Sequence, residues 1–317
     1  MADLPPTDHL TALVKELHEE RTAEPPFVFE YKKIGTALEE IPKAIIERIK
    51  RNQDGLYDWL RAKQPVLPVL VEMVTRVSAN TWDTILFLCG ENMDHGRKIE
   101  FTASVPPLAR TLADTLFAFV YIFDQPEENS RRFAVSGWGK GMIYWNRMSE
   151  THGTDPRWQT WLRGFRASVE STLDFAPATE KEKADLETAA YWPNPGKMIR
   201  GCSDEARKSF LDALQTWVYA DLSEDTHLAY PGLVRRGAIL DKEPASGIPL
   251  VNPQRYRTMV FLSALTVHVA VLSEIASQLA LDHEKGRLRN VWGVITANPD
   301  WHQAIALYDA RYRALIG

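Results

Sequence analysis

The segment from Ser104 to Asp124, SVPPLARTLADTLFAFVYIFD, restricts the fold of this chain more than any other. Val105, Leu108, Leu112, Leu116, Phe119 and Phe123 recur at steps of three and four, the period of a helix. The opposite side of such a helix is normally polar. Here it carries Phe117 and Tyr121, in line with Arg110 and Asp114. A helix that is apolar nearly all round is a central one, wrapped by others. Arg110 and Asp114 are therefore expected to be buried, and buried charges are kept in pairs.

A second apolar run extends from Thr258 to Ser273, contains His268 and ends at Glu274. It is shorter than the roughly 20 residues that span a bilayer, which predicts a second buried helix and no membrane span. No alternating strand pair and no internal repeat is found. The expected fold class is all-α, a multi-helix bundle around two central apolar helices, near 104–124 and 254–282. A chain of 317 residues can bury such a core. The expected organisation is an N-terminal helical segment, 1–65, packed outside a helical core domain, 66–317.

Other helices are predicted over 7–22, 35–53, 66–98, 156–174, 179–191 and 298–315. Thr36 and Glu39 have the spacing of a capping box. The 66–98 segment reads as one long helix or two in line, with Asn80-Thr81 as a candidate break and an apolar face of Val69, Leu70, Met73 and Val77, then Trp82, Ile85, Leu86 and Cys89. Pro126 suits the first turn of the helix after the central one. Gly137, Gly139 and Gly141 predict a kink in it. Trp158, Trp161, Leu162, Phe165 and Val169 are expected to point inward. Ser203 is expected to cap the helix that carries Phe210, Leu211 and Leu214. Residues 229–253, rich in Gly and Pro, predict a long irregular stretch.

Charge narrows the choice of partners. A formal net charge of −5 argues against a general nucleic-acid binder but leaves room for a local patch. Residues 131–166 supply one. Arg131, Arg132, Lys140, Arg147, Arg157, Arg163 and Arg166 stand against Glu150 and Asp155 there, with Trp138, Tyr144, Trp145, Trp158 and Trp161 between them. Cations interleaved with aromatics suit single-stranded RNA; the same tryptophans would also suit a core. Cys89 and Cys202 form no metal pattern and read as reduced thiols of a cytoplasmic protein. The N-terminus MADLPPTDHL has no secretion signal. No cofactor or metal is expected, since no phosphate loop, dinucleotide fingerprint, nucleophile elbow or zinc-protease motif occurs.

Three groups of residues could carry chemistry. Arg110 and Asp114, four apart, form either a structural ion pair or a site in which Arg110 holds an anionic or polar substrate. The segment Tyr219-Ala-Asp-Leu-Ser-Glu-Asp-Thr-His227 offers Ser223 as a helix N-cap with acids in the first turn. Alternatively, His227 is a general acid or base, with Ser223 orienting its ring and Arg110 holding the substrate. Arg147 and His152 compete with that set, because their spacing matches the arginine–histidine motif of HEPN ribonucleases.

Arg110-Thr-Leu-Ala-Asp114, the apolar helix, Gln125-Pro126-Glu127, and later Leu222-Ser223 and His227 before a Gly/Pro-rich loop together resemble a bacterial all-helical family of unknown function. Its members show an Arg-x-Leu-x-acid helix and a later Ser-x-x-x-His element. The likeness covers residues 66–270, with Asp114 where Glu is more usual. The family is similar to HEPN-like helical bundles, which implies RNA cleavage or a role in phage defence. The other function class open to the sequence is a non-catalytic helical binding or scaffold protein.

Overall fold

The computed structural model describes residues 31–89, 99–226, 253–298 and 301–317. The chain is all-α: among the described residues every regular element is a helix and none is a strand. Helix α1 spans Gly35–Lys50, α2 Leu56–Lys63, α3 Leu67–Cys89 and α4 Val105–Ile122. In α4, Val105, Leu112, Leu116, Phe117, Phe119 and Val120 are fully buried. Helix α12, Pro253–Gln278, lies along α4, and every residue from Ala264 to Ala276 is buried. It begins within one residue of the helix expected over 254–282 and ends at Gln278, before the expected end. Its Tyr256–Gln278 part is long and apolar enough to cross a membrane, and 89% of an 18-residue window within it is buried inside the protein.

Helix α3 packs on both and runs unbroken through Asn80 and Thr81, the first of the two alternatives, one long helix rather than two in line. Its buried stripe is Leu67, Leu70, Val71, Thr75, Ser78, Trp82, Ile85 and Cys89, while Val69, Met73 and Val77 are exposed. Of the expected face, Leu70, Trp82, Ile85, Leu86 and Cys89 are buried, and only Val69, Met73 and Val77 turn outward, where Thr75 and Ser78 take the inner stripe instead. In α1, Leu38, Ile41, Ile45 and Ile49 enter the same core as α4, as do Leu56 and Leu60 of α2. Thr36 caps nothing: α1 starts after Ile34, with no side-chain cap. The helix predicted over 7–22 lies outside the described residues.

Helix α5, Pro126–His152, is continuous, so its glycines do not interrupt it. They permit close approach instead. A Cβ on Gly139 would meet the backbone nitrogen of Ala190 at 2.6 Å, and one on Gly141 would meet Val169 at 2.8 Å. Those neighbours belong to α6, Pro156–Glu170, and to the end of a short pair, α7 Glu180–Ala184 and α8 Leu186–Ala189. Val135, Trp138, Ala176 and Ala189 form a second, smaller core there. Of the residues expected to point inward from α6, Leu162 alone is buried.

Helix α9, Pro195–Gly201, precedes α10, Glu205–Leu214. Asp204, not Ser203, caps α10 by accepting from the Arg207 amide. Ser203 donates its amide and hydroxyl to the Asp124 carboxylate at 2.8 and 3.0 Å, tying the end of α4 to α10. A π turn, Gln215–Tyr219, carries α10 on into α11, Ala220–Thr226. Ser223 thus sits inside a helix and is not an N-cap, because the turn that would have begun there is already helical. Helices α13 Asp282–Thr296, α14 His302–Leu307 and α15 Arg313–Ile316 complete the order, with a second π turn, Tyr308–Tyr312, between the last two. The irregular stretch predicted for 229–253 lies outside the described residues except at Pro253, which begins α12.

Candidate functional site

Spacing of four puts Arg110 and Asp114 on one face of α4, against which α11 packs. Tyr219 joins them. Arg110 Nη2 donates to the Tyr219 hydroxyl, which donates in turn to Asp114 Oδ1 at 3.0 Å. The guanidinium lies over the phenol ring, 3.6 Å from its centroid, and Phe117 meets the same ring edge-on at 5.1 Å. Arg110 Nε is 3.3 Å from Asp114 Oδ2. Burial, then the Asp114 charge, pushes the Tyr219 phenol up to about 12. It is therefore a neutral donor at physiological pH.

The expected burial is met only in part at Arg110 and fails at Asp114. The Arg110 side chain is 13% exposed, that of Asp114 50%. The cluster is at the edge of the core: the Tyr219 ring lies over Arg110, while Asp114 is half-exposed. Among the described residues, Arg110 Nη1 is buried without a hydrogen-bond acceptor, and Nε has the Asp114 carboxylate as its ionic partner.

Ser223 lies one turn beyond Tyr219 in α11 and is half-buried; no hydrogen bond joins it to Arg110 or Asp114 among the described residues. His227 lies outside the described residues, as do the side chains of Asp221, Glu224 and Asp225. Tyr219 is the member that the sequence reading missed. The available signal was its spacing of four from Ser223 and eight from His227, a single helix face.

Arg147 and His152 are both on α5, and no hydrogen bond or ion pair joins them among the described residues. The His152 ring stacks on Trp158, with centroids 4.2 Å apart and planes 7° from parallel. The basic stretch 131–166 divides. Arg131 makes a two-pronged pair with Glu182 at 2.9 and 3.2 Å, which is the main cause that holds the Glu182 carboxyl down to about 2. Arg157 pairs with Asp155 and Arg166 with Glu170. Arg132 lies over the Tyr191 ring. Lys140, Arg147 and Arg163 make no ion pair among the described residues. The aromatics divide as well: Trp138 is core, whereas Tyr144 and Trp161 are exposed.

A second ionic pair was not anticipated. Glu274, the residue that ends the apolar run, accepts from Arg311 Nε and, at 3.0 Å, from Arg311 Nη2. Both side chains are buried. Burial pushes the Cys89 thiol up to about 12 and the Cys202 thiol up to about 11, so neither is a thiolate at neutral pH. Among the described residues no group of three His, Cys, Asp or Glu could hold a metal ion. Comparison with protein-family models, with curated proteins and with solved structures finds no match.

Proposed function

We propose that the protein is a nucleic-acid-directed helical protein of the HEPN-like kind that holds a phosphate group at Arg110. The observation that carries this reading is the unmet hydrogen-bonding capacity of Arg110, whose Nη1 is buried without an acceptor among the described residues. Leaving a buried donor unpaired costs about 1–3 kcal/mol, and more when it is charged. A guanidinium fork matches phosphate oxygens. A phosphate oxygen at Nη1 would meet that need, with the Tyr219 ring swung outward from the guanidinium it covers. The likeness of the Arg110 and Ser223 elements to HEPN-like bundles supports nucleic acid as the source of the phosphate. The competing reading, a scaffold, needs no ligand at Arg110.

Inorganic phosphate, added at constant ionic strength, is the direct probe. A ligand that binds the native state alone stabilises it by about 2.7 kcal/mol at a hundredfold excess over Kd. Phosphate is expected to raise the Tm of wild type and to leave Arg110→Gln unmoved. An equal shift in both, or none in either, returns the cluster to a structural role.

A further inference from the structure

Helix α6 is 15 residues long and buries one side chain, Leu162. So little burial does not account for its composition. Trp161 and Phe165 stack on its surface, centroids 5.0 Å apart and planes 13° from parallel. Tyr144 of α5 stands edge-on to both, at 6.3 and 5.6 Å. Tyr144 and Trp161 expose 47% and 41% of their surface. The α5–α6 hairpin is nevertheless well fixed: the Trp145 indole donates to the Leu162 carbonyl at 3.0 Å, and Gly141 admits Val169. The aromatic face is thus presented by a pinned hairpin.

Cations flank this face. Lys140 lies one turn before Tyr144 and Arg147 one turn after it, on the same side of α5. Both are exposed, and no carboxylate pairs with either among the described residues. They are about 10 Å apart along the helix axis. The other arginines of the stretch with acid partners, Arg131, Arg157 and Arg166, are already neutralised.

We propose that this face binds single-stranded nucleic acid, with bases stacked against Trp161, Phe165 and Tyr144 and backbone phosphates held by Lys140 and Arg147. Every base has a π face, so such a platform tolerates sequence, and a duplex keeps those faces inside its own stack. Two unpaired cations give the interaction a modest salt dependence despite the negative charge of the whole chain. The inference stands on the hairpin alone and does not use the cluster at Arg110.

The test is fluorescence anisotropy of labelled RNA and DNA single strands of roughly 12 nucleotides, within the usual site size, beside a duplex of the same length. Single strands are expected to bind better than the duplex, and RNA against DNA shows which source is preferred. Trp161→Ala is expected to weaken binding on the order of tenfold. Replacing Lys140 and Arg147 together by Ala should flatten the slope of log K against log salt by about 1.4, at about 0.7 per contact. Arg61→Ala, an exposed cation of α2, should change nothing. The proposal is overturned if neither strand binds at low salt, if the duplex binds better, or if Trp161→Ala binds like wild type. Self-association of wild type that Trp161→Ala abolishes, without strand binding, assigns the face to a second copy of the chain instead. Trp161 is exposed, so the variant is expected to keep the native circular dichroism. The phosphate-induced Tm shift, followed in the same variant, stays intact and separates failure here from failure at Arg110.

Discussion

The imidazole of His268 lies flat on the indole of Trp82, with centroids 5.2 Å apart and planes 6° from parallel. Its Nδ1 is 2.9 Å from the Ser78 hydroxyl, and its Nε2 is buried without a partner among the described residues. Burial pushes this imidazole down to about 3. The unfolded chain takes up a proton near pH 6.5 while the native protein stays neutral. Stability is therefore complete above about pH 6.5 and falls as the pH drops, by about 1.4 kcal/mol per pH unit, until the native group also titrates. Glu182, held down to about 2 by Arg131, loses its contribution in a lower window, below its unfolded value of about 4.5. Urea midpoints measured between about pH 7.5 and 5 isolate the histidine. A flat profile there, or an unchanged slope in His268→Gln, would contradict this assignment.

The Arg311–Glu274 pair is the more costly of the two ionic pairs to break. Both side chains are buried, so Arg311→Ala strands a carboxylate and is expected to cost about 3–5 kcal/mol. Replacing both with Met and Leu should recover most of that loss. Denaturant melts of the single and double variants give the comparison.

Arg110→Ala should cost less, about 1–2 kcal/mol, because the half-exposed Asp114 it leaves behind is solvated. Buried on both sides, the pair would have cost more. Tyr219→Phe is expected to cost about 1 kcal/mol through the lost bridge. An absorbance titration of wild type should place one tyrosine near 12, and that transition should disappear in Tyr219→Phe.

RNA cleavage assays address the two histidines. Because the His152 ring is stacked on Trp158, His152→Ala is expected to leave any cleavage by wild type intact. Loss confined to His152→Ala would restore the Arg147–His152 pair as the centre. Loss confined to His227→Ala moves it to the α4–α11 cluster.

Helix period alone exposed the class of the fold and the two helices at its centre. Phe117 and Phe119 are fully buried and leave α4 only a narrow exposed stripe at Thr111 and Asp114, and the unbroken burial from Ala264 to Ala276 follows from the same rule. Capping was less legible. Thr36, Ser203 and Ser223 all carry the right hydroxyl, yet tertiary contacts decide whether a helix has already begun, and Asp124 takes Ser203 for a different bond. Trp161 misled because hydrophobicity marks a core and a stacking surface equally. Asp114 misled because helix period fixes a face but not how far along it a neighbour reaches. The Glu274–Arg311 pair joins residues 37 apart in the chain, and no local pattern encodes that meeting.

The π turn at Gln215–Tyr219 gives the helix one residue more than α-helical winding needs. Without that extra residue the turn would close as ordinary α-helix and α11 would keep the face it shows to α4, whereas one residue added to a regular helix turns everything beyond it by about 100°. Phe210, Leu211 and Leu214 lie before the turn in the core, and Tyr219 ends it at Arg110. The turn therefore absorbs one residue of length inside the helix, so that the core side chains before it and the tyrosine of the Arg–Tyr–Asp cluster both keep their partners.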